Sequence, residues 1–94
     1  MTPYQLVGFL DNFDQWAGAE DSDQTMRVVV LDWVMTRQES PYQGVRREPS
    51  FENLWFGAIP RTARGDQVVV CSYWIEEHDH IVRCDRIATL SLPL

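Results

Sequence analysis

The segment Val68–Leu90, VVVCSYWIEEHDHIVRCDRIATL, decides the fold. Its first arm, Val68–Glu77, is rich in Val, Tyr, Trp and Ile, side chains that suit a pleated, half-buried surface. Its second arm, His80–Leu92, alternates Ile81, Arg83, Asp85 and Ile87 against Val82, Cys84, Arg86 and Ala88. That period of two is expected of a strand with one buried face. The polar link EEHD leaves room only for a tight reversal, so the arms are expected to pair as an antiparallel hairpin.

N-terminal to the hairpin, LWFGAIP (Leu54–Pro60) reads as a further strand stopped by Pro60, and RTARGDQ, with Gly65-Asp66, is turn material. The first forty residues have a different period. TPYQ offers Thr2 as N-cap, Pro3 at the first helical position and Gln5 at the third, a capping-box pattern. Leu6, Val7, Phe9, Leu10, Phe13, Trp16 and Ala17 then recur at spacings of three and four as far as Gly18. After the acidic link AEDSD, Ser22 or Asp23 can cap a second helix. In it Met26, Val29, Val30, Trp33, Val34 and Arg37 form one stripe, despite the β-branched run Val28–Val30. The helix is expected to end before Pro41, because the residue preceding a proline resists helical geometry.

The reading is α+β: two N-terminal amphipathic helices packed on one face of a three- or four-stranded antiparallel β-meander. One domain is expected over residues 1–94, with 1–39 as helical layer, 40–53 as crossover loop and 54–94 as sheet. Trp33, Trp55 and Trp74 are assigned to the core. The crossover and first strand meet in SPYQGVRREPSFENLW (Ser40–Trp55). There Tyr42, Phe51 and Trp55 are expected to pin the path, Arg46 and Arg47 to stay at the surface, and Gly44–Glu48 to be able to add a short edge strand.

Fourteen acids oppose eight bases, a formal net charge of −6. Nucleic-acid binders normally carry a basic excess, so nucleic acid is disfavoured as a partner. Every base is Arg, a planar fork suited to bidentate carboxylate contacts. Residues 1–39 hold seven acids and two arginines, and residues 40–94 hold seven acids and six arginines. The N-terminus lacks the basic and apolar regions of a signal peptide, and no run is long enough to span a membrane. A cytoplasmic location is therefore expected, with Cys71 and Cys84 as thiols.

Chemistry-bearing patterns are sparse. EEHDH (Glu76–His80) is the densest titratable cluster, and His78 and His80 would share a face of an extended strand. A polar hairpin tip has the same composition, and no metal is assigned. Cys71 and Cys84 lie on the two hairpin arms and share a face if the register sum is odd, without the spacing that activates a thiol. No nucleophile elbow, phosphate-cradling glycine loop or C-x-x-C is present, so no catalytic residue or cofactor is assigned and the reading leans away from an enzyme. The arginines form the candidate binding set, Arg46, Arg47, Arg61, Arg64 and Arg83 together with Tyr42. Their loops and strand could converge into one rim, or each could pair with a carboxylate among Glu48, Glu52, Asp66 and Asp85.

The order helix, helix, Arg-bearing connection, antiparallel meander resembles the RelE/ParE toxin superfamily, small bacterial proteins in which a helical hairpin packs on an Arg-bearing sheet. The likeness covers about four-fifths of the chain and is one of layout, with NLWFGAIPRTARGDQVVVCSYWIEEHDHIVRCDRIATL similar to the family's run of strands. It implies functional cations near Arg46, Arg47, Arg61 and Arg83, and action on translation or gyrase. The chain departs from the ribosome-dependent RNases in being acidic, in lacking Lys and in having no terminal Tyr or His in a matching catalytic position. It is also similar to small proteins of GC-rich bacteria, which implies no function. The leading expectation is a non-enzymatic bacterial protein-interaction module that binds a protein partner through an Arg/aromatic loop or a sheet edge. A toxin of the RelE/ParE kind is the first alternative, and an acidic immunity protein or antitoxin the second. A free sheet edge would permit a homodimer.

Overall fold

The computed structural model describes residues 2–19 and 22–91. Seven elements follow one another: β1 (Gln5–Val7), α1 (Phe9–Ala19), α2 (Gln24–Thr36), β2 (Arg46–Arg47), β3 (Leu54–Ala58), β4 (Gln67–Glu76) and β5 (Ile81–Ser91). The protein is α+β, with two helices on a five-stranded mixed sheet of order β1-β5-β4-β3-β2. The expected hairpin is its centre: β4 and β5 pair antiparallel from Gln67↔Ser91 to Glu76↔Ile81. β3 pairs antiparallel with β4, and β2 is the anticipated short edge strand on β3.

The expected strand number and orientation need correction at the N-terminus. Residues 5–7 do not begin a helix. They form a strand parallel to β5, with Leu6 opposite Val82. Gly8 separates strand from helix, since its φ of +79° is a left-handed conformation that glycine adopts without a Cβ penalty. Its carbonyl accepts the Asn12 backbone N–H and the Asn12 side-chain amide, so α1 starts one turn later than the apolar spacing suggests. Leu6 and Val7 fit the helical stripe equally well, and pairing with β5 decides between the two.

α2 follows its expectation closely. Asp23 caps it, accepting the Met26 N–H at 2.8 Å, and its carboxyl is held below the usual range chiefly by a hydrogen bond from Arg64, then by that N–H. Glu20 and Asp21 of the acidic link, and Leu92 at the end of the expected last strand, lie outside the described residues.

Both helices bury their apolar stripes against one face of the sheet. Phe9, Trp16, Ala17, Met26, Val30 and Val34 meet Val69, Cys71, Tyr73, Ile75, Val82 and Ile87. Trp33 and Trp55 pack against this cluster as expected, and Trp16 is buried within it, its indole N–H donating to Thr89 at 2.9 Å. Trp74 is a correction: it lies on the opposite face of the sheet, with the Phe51 ring edge-on to it at 5.5 Å. β4 alternates inward Tyr73 with outward Trp74, so both cannot face the helices.

Two polar side chains are buried among the described residues, Thr62 and Arg37, and only Arg37 is charged. Arg37, just past α2, is 3% exposed and has no carboxylate partner among the described residues. Its guanidinium donates to Thr36 Oγ1, to the Gln43 carbonyl at 2.7 Å and to the Tyr73 hydroxyl at 3.1 Å, and lies 4.1 Å from the Trp33 ring centroid. The Tyr73 hydroxyl in turn donates to the Pro41 carbonyl. Helix end, crossover and central strand are thereby joined through buried donors and acceptors. Tyr73→Phe removes the shared hydroxyl and leaves the Pro41 carbonyl unpaired, so it should cost about 1–3 kcal/mol of stability. Urea unfolding followed by circular dichroism checks this, and an unshifted midpoint would show that the network contributes nothing.

Candidate functional site

The site is assembled by the face of the sheet that the helices leave open. Cross-strand partners in a sheet share a face. Arg46 pairs with Phe56, Phe56 with Ser72, and Ser72 with Arg86. These four residues therefore form one row across β2, β3, β4 and β5. Next to it runs a row of small side chains, Ala58, Val70 and Ala88, and beyond that the pair Val68 and Leu90. On the other side stands Leu54, Trp74 and Arg83.

The regular alternation expected of β5 fails at one point, and the site depends on that failure. The β4–β5 register slips between Ser72 and Tyr73: Tyr73 faces Cys84, whereas Ser72 faces Arg86. Asp85 is the extra residue of a β-bulge. In an unbroken strand Arg83 and Arg86 would point to opposite faces, since they are an odd number of positions apart. The bulge brings both to the open face and sends Val82, Cys84 and Ile87 inward. Asp85 stays outside too and accepts the Ser72 hydroxyl at 2.8 Å.

The middle of the open face is a trough of about 590 Å³ whose lining includes Phe56, Ala58, Val68, Val70 and Leu90. One wall is the crossover segment Gly44–Arg46, which lies close against β3. On the helix-facing side of β3, a Cβ on Gly57, which shares that side with Cys71, would fall 2.8 Å from the Gly44 carbonyl oxygen and 3.0 Å from a Val45 methyl. Only glycine permits that approach without displacement of the wall. Arg46 stands above it with its guanidinium 5.1 Å from the Phe56 ring centroid.

The candidate set disperses around this face. Arg46 and Arg83 lie on it, and Arg86, Phe56 and Trp74, absent from that set, join them. Arg83 is paired with Glu76 at 2.7 Å, which lowers the Glu76 carboxyl's pKa. Arg47 follows the strand alternation to the other face and donates to the Phe51 carbonyl. Arg61 sits in the β3–β4 turn with φ of +67°, and Arg64 pairs with Asp23 at the end of the helical layer. Tyr42 packs edge-on to Trp55 at 5.0 Å. The arginines do not make a single rim. Neither of the two ion pairs among the described residues uses Glu48, Glu52, Asp66 or Asp85.

Two other clusters have structural explanations. Cys71 and Cys84 face the helices, and the adjoining Cys84 thiol, together with burial, pushes Cys71 well above the ordinary thiol range. A thiol so placed is not activated. At the hairpin tip His80 stacks on Tyr4 at 3.8 Å and the Tyr4 hydroxyl donates to Glu77, tying the chain's start to the tip. Among the described residues no three His, Cys, Asp or Glu side chains group as a metal site, and no helix is long and apolar enough to cross a membrane.

The sequence matches no protein-family model, and no curated protein matches it significantly.

Two consequences are measurable. Gly57→Ala should force the Gly44–Arg46 wall away from β3 and cost about 1–3 kcal/mol through overpacking. Displaced amide resonances at residues 44–46 with a lowered unfolding midpoint are expected, and an unchanged spectrum would deny the close approach. The second concerns alkaline pH. The hydrogen bond to Glu77, with burial and the Glu77 charge, pushes Tyr4 up to about 12, whereas an unfolded tyrosine titrates near ~10. Between those values the unfolded chain has released a proton that the folded chain keeps, so stability falls as pH rises through this window. Tyr4→Phe should flatten that decline in urea midpoints between pH ~9 and ~12. An equally steep decline in the variant would refute the assignment.

Proposed function

We propose that this protein is a non-enzymatic interaction module whose docking surface is the open face of its sheet, and that its partner is a protein segment combining apolar and acidic side chains. The observation carrying this reading is the Arg46–Phe56–Ser72–Arg86 row. Its two terminal guanidiniums have no carboxylate partner among the described residues; Arg46 lines an apolar trough, and Arg86 stands beside Ser72, which lines it too. Paired arginines such as Arg64 already have their anion, whereas Arg46 and Arg86 hold free donors beside a desolvating surface. Charge-assisted bonds made there are stronger than in open water. Arg, Trp and Phe around an apolar centre is also the composition of an interface hot spot. The free thiols packed in the core suit a reducing compartment such as the cytoplasm.

A second reading, a toxin of the RelE/ParE kind, is favoured by one feature: the helical hairpin covers one face of the sheet and leaves the arginine-bearing face open. The two readings share a surface and differ in consequence.

A photo-crosslinking amino acid at Leu90, on the open face, is compared with one at Leu10 on the helical layer, both exposed. In bacterial cells producing the protein, the docking reading expects a defined adduct from Leu90 and none from Leu10. Adducts from Leu10 alone would overturn it. Growth arrest on induction, relieved by Arg46→Ala with Arg86→Ala, would shift the assignment to the toxin.

A further inference from the structure

Resting on the docking reading above, we infer that the occupant of the open face is an amphipathic α-helix of a protein partner. It lies along the strands with its apolar stripe in the trough and carboxylates on both flanks. Three features of the surface select it.

The first is width. Arg46 and Arg86 end a row of four adjacent strands. Strands spaced ~4.8 Å apart put their backbones roughly 14 Å from one another. A helix with its side chains is about 10–12 Å across, so it spans the middle of this row, with one acidic residue toward Arg46, whose guanidinium leans over the Phe56 ring, and another toward Arg86. The row of Ala58, Val70 and Ala88 lowers the floor beside them, and the Gly44–Arg46 wall and Leu90 raise its sides.

The second is backbone satisfaction. The trough is lined mainly by apolar side chains, with Ser91 and Arg46 at its margins and Ser72, whose hydroxyl already donates to Asp85, in its floor. An extended peptide lying on this face would hold its N–H and C=O groups over hydrocarbon without partners, at a cost per group. A helix satisfies its own backbone and presents only side chains. An extended peptide would instead need a sheet edge, where β2 offers two residues, both arginine, and β1 offers three.

The third is the charge pattern. A second copy docked face to face would oppose like charges across the interface, because its own row also ends in Arg46 and Arg86. A single-stranded nucleic acid would want several aromatic platforms. The trough offers Phe56, while Trp74 in the adjoining row is already contacted by Phe51. The whole chain, at −6, also repels a polyanion. A short helix carrying carboxylates on two flanks places its negative charge only where the guanidiniums are. Its sequence signature is apolar residues at i, i+3 or i+4 and i+7, bordered on both sides by Asp or Glu.

The experiment selects binders to the full chain from two phage-displayed libraries, with a uridine-rich single-stranded RNA titrated in parallel. One library is a stable helical scaffold with stripe and flank positions randomised. The other is linear peptides with a central proline. The expected result is enrichment from the helical library of sequences acidic on both flanks. Their affinity should fall at least about tenfold with Arg46→Glu plus Arg86→Glu, as for loss of close charge pairs, and not with Gln15→Glu on the helical layer. Binding should also move the amide resonances of Phe56, Val70 and Leu90. Enrichment only of linear peptides that move the same resonances would overturn the helical occupant and leave the docking face standing. RNA bound at those resonances, with neither library enriched, would overturn the protein partner as well. Binders that move only helical-layer resonances, or no binder of any kind, would overturn both. Circular dichroism of the arginine double variant separates lost binding from lost folding.

Discussion

The structure turns on a buried guanidinium whose donors are taken up by neutral oxygens. Arg37 ends the apolar stripe of α2, where the next inward position would ordinarily be another aliphatic residue. Burying a charge is costly unless its donors are used. Here they reach Thr36, Gln43 and Tyr73, with the Trp33 ring stacked nearby. Those partners come from three parts of the chain: the helix end, the crossover and the central strand. A hydrocarbon at position 37 could fill the space but could not set the path from Pro41 to Gln43. That path delivers Gly44 to Gly57, and so raises the wall on which Arg46 stands. The open face, which we propose as the docking surface, is thus positioned from the opposite side of the sheet, through a polar network enclosed by the helices.

The second constraint is the bulge at Asp85. A strand of strict period two cannot present Arg83 and Arg86 on one face while burying Val82, Cys84 and Ile87 on the other. One inserted residue satisfies both demands by changing the parity of everything after it. Bulges also increase local twist, which suits a central strand joined along part of its length to the short parallel β1. The thiol pair is a by-product of the same register. Near the tip Tyr73 faces Cys84, which puts Cys84 diagonally beside Cys71 on the helical side.

Much of the architecture was legible where periodicity extends over many residues. The hairpin Val68–Leu90, the cap at Asp23 and the edge strand near Arg46 follow from β-propensity, a carboxylate before an apolar run, and a short extended segment between turns. The misses have local causes. Gln5–Val7 has helical apolar spacing, and only pairing with a strand some seventy-five residues later makes it β1. Trp74 was assigned inward on hydrophobicity alone, yet parity with Tyr73 excludes that. Arg86 stands outside the candidate binding set because it falls on the inward face of an unbroken β5, and nothing in DRI announces a bulge. Of the decisive row, Arg46 was readable from its loop, and Phe56 only as part of its strand. The other half required the register.

The open face also resolves an apparent conflict between an acidic protein and the acidic partner proposed for it. At −6 the protein as a whole repels negative charge at long range, so net charge would slow the encounter. At physiological salt, however, charges beyond about 8 Å are largely screened. Stacked layers of a fold lie roughly 10 Å apart, so the acids of the helical layer are distant from a ligand on the far side of the sheet. What the ligand meets within that range is Arg46, Arg83 and Arg86 against Glu76 and Asp85, and those two acids are already engaged by Arg83 and Ser72. The local balance is cationic while the global one is anionic. Affinity at such a surface rests on short-range contacts and apolar burial, and selectivity on whether a partner concentrates its negative charge at the two ends of one row. A dispersed polyanion encounters the protein's overall repulsion, whereas a compact helix with acidic flanks encounters mainly the arginines.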